Sequence, residues 1–173
     1  MSEFYWISMK SQKEIMQKCK KIKMVLTDVD GVLTDNGMYY SKDGDIMKKF
    51  NTRDGMGVEL LTKQKIGSII ITRENSPIVK KRGKKIKVLE THVGILKKES
   101  LLPKICKNYS LKTENIAYIG DDVNDFEIMR KIGFSCTPND GIQKIKDISD
   151  YVCTAKGGAG AFREVADLIL KFN

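Results

Sequence analysis

Residues 23–35, Lys-Met-Val-Leu-Thr-Asp-Val-Asp-Gly-Val-Leu-Thr-Asp, constrain the fold more than any other stretch. Met24, Val25 and Leu26 form a short apolar run of the kind that makes a buried strand. The run ends on Asp28 and Asp30, followed by Gly31. Successive strand residues point to opposite sides, so the two carboxylates share one side at the strand's carboxyl end. In open α/β sheets that end is where ligands bind. Two like charges 4 Å apart repel by about 4 kcal/mol at an effective dielectric of about 20, and a divalent cation is the usual remedy. An exposed Asp-Gly turn is the other reading of the pair taken alone.

The remainder alternates strands with helices, which argues a doubly wound, mainly parallel α/β sheet in one domain over residues 1–173. Residues 1–21 read as a helical extension, with Ser11 and Glu14 at capping-box spacing. Residues 36–50 read as a β-hairpin turning at Asp43-Gly44 and standing over the carboxylates. Next, residues 51–57 lead into a helix over 58–65 that Gly67 ends. A polar helix start suits an anion or a sugar hydroxyl, or serves only as a cap. Residues 68–71 form a second buried strand ending on Thr72, and Ser76-Pro77 opens a helix as N-cap and first residue. The basic run 80–85 on that helix is either a solvated face or an anion trap. Residues 86–89 read as a strand, and 97–109 as a helix kinked at Pro103. A third apolar strand, 116–119, runs into a second acidic cluster, Gly120-Asp121-Asp122-Val123-Asn124-Asp125. Short strands at 134–136 and 151–153 close the sheet. Gly157, Gly158 and Gly160 read as a flexible turn before a last helix at 161–171.

A net charge of +9 raises the question of nucleic acid. The lysines are spread along the whole chain and aromatics make up only 8%, so a small anionic substrate is the better account. No apolar run is long enough to span a membrane, and the start lacks a signal-peptide pattern. The four cysteines, Cys19, Cys106, Cys136 and Cys153, are scattered without metal-type pairing, which reads as reduced thiols in a cytoplasm. His92, the lone histidine, reads as a loop residue.

Asp28-Val29-Asp30-Gly31-Val32-Leu33-Thr34 resembles the first motif of the haloacid dehalogenase superfamily, and Gly120-Asp121-Asp122-Val123-Asn124-Asp125 its fourth. The resemblance implies a Rossmann-like core and phosphatase chemistry. Asp28 would attack phosphorus and Asp30 would exchange the leaving-group proton. Asp28, Asp121 and the backbone carbonyl of Asp30 would hold Mg²⁺, with Asp122, Asn124 and Asp125 orienting them. Thr72 matches the second motif and Lys98 the third, where they bind phosphoryl oxygens. A phospho-accepting receiver domain uses similar residues, but there the lysine comes last; here Lys98 precedes Asp121. A catalytically silent oligomerisation domain associated with an acylneuraminate cytidylyltransferase is the non-enzymatic alternative.

There is no room for a cap domain between Thr34 and Thr72 or between Lys98 and Asp121. Residues 30–35, 49–57, 118–125 and 156–164 resemble the capless sugar-acid phosphatases, which act on 3-deoxy-octulosonate 8-phosphate or nonulosonate (sialic-acid-type) 9-phosphates as tetramers. That resemblance implies a homotetramer and places Asn51, Thr52, Arg53, Asp54, Gly55 and Arg82 around the substrate. Two departures bear on this. The second motif, usually Thr-Gly, is Thr72-Arg73. Glu74 stands where octulosonate enzymes tend to have Arg and, with Lys85, is similar to the nonulosonate type. A nonulosonate 9-phosphate is therefore the expected substrate, with Lys85 aiming Glu74 at the middle of the ligand and Arg82 meeting its anionic end. The octulosonate 8-phosphate is the alternative.

Overall fold

The computed structural model describes residues 11–173. Six strands lie side by side, all parallel: β1 (Met24–Thr27), β4 (Gly67–Ile71), β5 (Glu90–His92), β6 (Ile116–Ile119), β7 (Phe134–Thr137) and β8 (Tyr151–Val152). Their order is β5-β4-β1-β6-β7-β8, so the chain builds outward from β1 first to one edge and then to the other. This is the expected doubly wound α/β sheet, and the strand order reverses beside β1. At such a reversal the loops leaving neighbouring strands diverge and open a crevice.

Every residue of β1 and β6 is buried, because helices cover both faces. Val25, Ile70, Ala117 and Ile119 face a core shared with α2 (Thr52–Lys63) and α7 (Ala161–Phe172). Met24, Leu26, Ile69, Ile71 and Tyr118 face a second core, against α4 (Leu102–Tyr109) and α5 (Phe126–Met129). The two-residue period of the strands thus divides one apolar run between two cores. On the first face α1 (Gln12–Cys19) starts at the expected capping box, Ser11 with Glu14. The part of the expected N-terminal helical extension before residue 11 lies outside the described residues.

The hairpin is β2 (Tyr39–Ser41) with β3 (Gly44–Met47), antiparallel, and the bridge Thr34–Phe50 closes its base. No inserted cap domain is present among the described residues; the hairpin and α2 alone separate β1 from β4.

Several boundaries differ from the sequence reading. The helix expected over 58–65 begins six residues earlier, at Thr52, because Asn51 caps it by accepting from the Arg53 N–H at 2.9 Å. Gly67 does not end that helix but opens β4, where a Cβ would meet the Leu89 side chain at 2.5 Å. The strand expected at 86–89 is displaced to β5, since α3 (Pro77–Ile86) runs on to Ile86. His92 lies in β5, with Nε2 2.7 Å from Glu90. Pro103 does not kink a helix. A 3₁₀ turn over Lys98–Leu101 precedes it, leaving Pro103 in the first turn of α4, where no N–H is needed. The 3₁₀ turn Val123–Asp125 precedes α5, and α6 (Gln143–Lys146) supplies the short helix before β8. The glycine turn is packed against backbone. The Gly158 N–H donates to Val32 O at 3.0 Å, and a Cβ on Gly157 would lie 2.1 Å from Gly31 O.

Candidate active site

The carboxyl ends of β1, β4 and β6 open into one cavity of about 210 Å³. Its lining includes Asp28, Asp30, Thr72, Glu74, Asp121 and Asn124. Each stands just beyond a strand whose buried residues fix its position. Asp28 follows Thr27 at the end of β1, Thr72 follows Ile71 at the end of β4, and Asp121 comes two residues after Ile119 at the end of β6. Gly31 lets the first and last of these meet. Its φ is +83°, and a Cβ there would fall 1.9 Å from Asp121 Oδ2.

Beneath the cavity lies a buried ion cluster. Lys98 is fully buried, and its Nζ is 2.8 Å from Asp28 Oδ2 and 2.5 Å from Asp125 Oδ1. Asp125 also accepts from the Tyr118 hydroxyl at 2.6 Å and, through Oδ2, from the Asp121 N–H at 3.0 Å. Burial alone would push Lys98 down, but Asp28 and Asp125 hold it above the ordinary lysine value. Burial, together with the charge on Asp125, pushes Asp28 well above the usual carboxylate range against the pull of Lys98. Asp121 is pushed up to about 7 by burial, Asp125 and Asp122, against Lys98 and Asn36.

These upward shifts mark an excess of negative charge with too little water to screen it. One oxygen each from Asp28, Asp121 and Asp125 lies within 4.8 Å of the others, a spacing that suits a cation with oxygen ligands. Asp125 is the least free of the three, since both its oxygens already accept hydrogen bonds; it orients Lys98, Tyr118 and the Asp121 backbone. Asp122 is exposed and accepts from the Val123 N–H at 2.6 Å. The donor set fits a hard divalent cation.

The substrate residues expected from the sequence divide between two places. Glu74 lines the cavity that holds Asp28 and Asp121, with Arg73 beside it. Thr52, Gly55, Arg82 and Lys85 instead line a separate cavity of about 570 Å³ between α2 and α3. Glu74 precedes α3 and Lys85 sits in its last turn, each on a different cavity, and among the described residues no ion pair joins them. Lys85 therefore does not aim Glu74. Arg82 donates to Asn51 O at 2.8 Å and lies 5.2 Å from the Phe50 ring, so it ties α3 to the start of α2. Asn51 in turn donates to Gly158 O at 3.2 Å. Arg53 is exposed.

Asp54 faces inward. Its Oδ1 accepts from the Arg163 N–H at 3.0 Å, in the first turn of α7, whose N-cap position is Gly160 and has no side chain to do so. Burial pushes the Asp54 carboxyl up to about 6 against that hydrogen bond.

Two residues at the site were not singled out from the sequence. Asn36 donates to Asp121 Oδ2 at 3.2 Å from a left-handed backbone (φ 63°) that Asn tolerates. The Asn-Gly pair after Asp35 was the available signal. Lys48, with its side chain 1% exposed, has its Nζ 2.7 Å from Asp30 Oδ1. Nothing in its spacing distinguished it from the other lysines.

Residues 6–163 match the family model of haloacid dehalogenase-like hydrolases. The chain belongs to that family. Among this hydrolase's relatives, the 3-deoxy-D-manno-octulosonate 8-phosphate phosphatase KdsC of Haemophilus influenzae is 36% identical over 91% of this chain and 87% of its own length. That of Escherichia coli K12 is 33% identical over 91% and 84%. A solved Moraxella catarrhalis phosphatase of the same name, in complex with magnesium, phosphate and KDO, superposes with a TM-score of 0.90 at 36% identity, covering 94% of each chain. The cobalt-bound Haemophilus influenzae structure gives 0.88 at 36%, covering 90% and 91%. This hydrolase is a phosphatase. The expected nonulosonate specificity finds no support among these relatives, which are named for the octulosonate. The pairing of Glu74 with Lys85, on which that expectation rested, is absent.

Proposed function

We propose that the protein hydrolyses 3-deoxy-D-manno-octulosonate 8-phosphate in a Mg²⁺-dependent reaction. The observation that carries this is the convergence of Asp28, Asp30, Thr72 and Asp121 on one cavity at the reversal of strand order. The relatives' shared substrate supplies the sugar acid.

In this reading Asp28 attacks phosphorus while Asp30 gives its proton to the departing sugar oxygen. Asp30, now a carboxylate, then takes a proton from the water that attacks the phosphoryl group on Asp28, releasing phosphate and restoring both residues. Asp28 and Asp121, with the Asp30 backbone carbonyl, would hold Mg²⁺, and Asn36 and Asp125 would fix the orientation of Asp121. When bound, the cation withdraws charge from the phosphoryl oxygens and screens them from the carboxylates. Lys98 opposes the upward pull of burial and Asp125 on Asp28 and holds its carboxyl in line. It uses two of its three N–H donors on Asp28 and Asp125, leaving one for a phosphoryl oxygen. The Thr72 hydroxyl, at the cavity edge, is a second donor to the same group.

Other readings complete the picture. The hairpin exposes Tyr40, Ile46 and Met47 beside an open site, which supports a homotetramer whose neighbours cover it. Among the described residues no helix is long and apolar enough to cross a membrane, and the unpaired cysteines support a cytoplasmic setting.

The test is phosphate release from the octulosonate 8-phosphate and from a nonulosonate 9-phosphate, each with Mg²⁺ and with chelator. The octulosonate ester should give the higher kcat/KM, chelator should abolish turnover, and Asp28→Asn should be inactive but folded. Preference for the nonulosonate, or turnover by Asp28→Asn, refutes the assignment.

A further inference from the structure

Among the described residues, Lys48 is the one buried cation at the site that the mechanism above does not use. It follows β3, its side chain is 1% exposed, and its Nζ lies 2.7 Å from Asp30 Oδ1 and 3.8 Å from Asp45 Oδ2. Thr34 Oγ1 donates to the same Asp30 oxygen at 3.4 Å. The other oxygen, Asp30 Oδ2, is buried and has no hydrogen-bond partner among the described residues. Asp45 continues the chain of contacts, since Ser76 Oγ donates to Asp45 Oδ2 at 3.2 Å. Ser76 thereby holds the hairpin instead of capping α3, which has no side-chain cap bond.

An unpartnered buried carboxylate oxygen is expensive to leave unless something else uses it. A carboxyl oxygen already accepting from an ammonium is a poor place for a proton. The transferable proton must then sit on the other oxygen. We infer that Lys48 is a positioning residue for proton transfer: it holds Asp30 Oδ1 and so assigns Oδ2 to the leaving group and, later, to water. Because Lys48 and Asp45 both belong to the hairpin, a lifted hairpin leaves Asp30 free to rotate and proton transfer out of register. Seating of the hairpin and acid–base competence are one event. This rests on Asp30 being the proton-exchanging residue of a phosphatase.

The step at issue is narrow. As the phosphorus–oxygen bond to the sugar breaks and the bond to Asp28 forms, the Oδ2 proton goes to the departing alkoxide. An aryl leaving group such as p-nitrophenolate departs without that proton. Lys48→Met is therefore compared with wild type in two single-turnover measurements, phosphoryl transfer from a primary alkyl phosphate and the first-turnover burst of p-nitrophenolate from p-nitrophenyl phosphate. The variant should lose about 10²–10³-fold on the alkyl ester, within the usual range for a displaced acid–base group, but less than about tenfold in the aryl burst. Lys48→Arg, which restores a donor, should recover part of the alkyl rate while the aryl burst stays unchanged. If Lys48→Met does not fold, Lys48→Gln is read by the same ratio. Equal losses on both esters, or none on either, overturn the inference. An inactive wild type, or turnover by Asp28→Asn, would instead overturn the phosphatase mechanism beneath it.

Discussion

Replacing Lys98 by Met tests whether the buried cluster is held together by charge. In the wild type one ammonium lies between Asp28 Oδ2 at 2.8 Å and Asp125 Oδ1 at 2.5 Å, with all three side chains at most 5% exposed. Removing it leaves two carboxylates facing each other with no water to screen them. Breaking a buried ion pair by deleting one partner costs about 3–5 kcal/mol. For a chain of this size about 1 kcal/mol moves the midpoint by roughly 2–4 °C, so a fall of roughly 6–20 °C is expected. The melt is to be run with chelator, so that altered cation affinity does not enter. The double variant Lys98→Met/Asp125→Asn removes one of the stranded charges, and Asn retains an oxygen for the Tyr118 hydroxyl. It should regain at least half of the lost stability while phosphate release stays below about 1% of wild type, since Asp28 remains without its cation. A single variant melting within about 2 °C of wild type would refute the reasoning. So would a double variant no more stable than the single one.

Three further outcomes follow from the geometry. Gly31→Ala places a methyl group against the Asp121 carboxylate at a positive φ, so Mg²⁺ affinity by calorimetry should fall at least tenfold; unchanged affinity would show that the close approach is not needed. Asp54→Asn removes a carboxyl that burial raises to about 6. Protonated in both folded and unfolded protein below about pH 4, this carboxyl destabilises the wild type progressively as pH rises to 6 and constantly above it. At pH 7.5 relative to pH 4.5 the variant should therefore gain about 2 kcal/mol on wild type in urea unfolding, and a pH-independent difference rules the shift out. Ile46→Asp, on the exposed face of the hairpin, should dissociate the proposed tetramer in light scattering without lowering the melting temperature of the subunit; an unchanged mass would show that this face is not the interface.

What could be read from the sequence divides along a physical line. The three central strands were legible because a strand buried on both faces has to be an unbroken apolar run, and its end is marked where polarity resumes. That put Asp28, Thr72 and Asp121 at strand ends, and the resemblance to the family's motifs supplied their expected parts. The walls of the site obey a different rule. Lys48 and Asn36 reach Asp30 and Asp121 only because a hairpin and a turn fold back over β1, and no local periodicity encodes that return. Glu74 and Lys85 looked like partners when only their types were compared. The length of α3 separates them, and that length depends on where the helix stops, which is among the hardest things to place from composition. Asp54 and the glycines at 157–160 err in the opposite direction. The resemblance put Asp54 beside the substrate, yet α7 lacks a capping side chain of its own and takes this one. Glycines suggested freedom, yet the backbone of residues 31–35 approaches Gly157 and Gly158 so closely that no side chain would fit there. In each case the residue type was informative, and what it touched was set by an element distant in sequence. The floor of the site is therefore legible in the sequence, while Lys48 and Asn36, which contact its carboxylates, lie in the segments that fold over that floor.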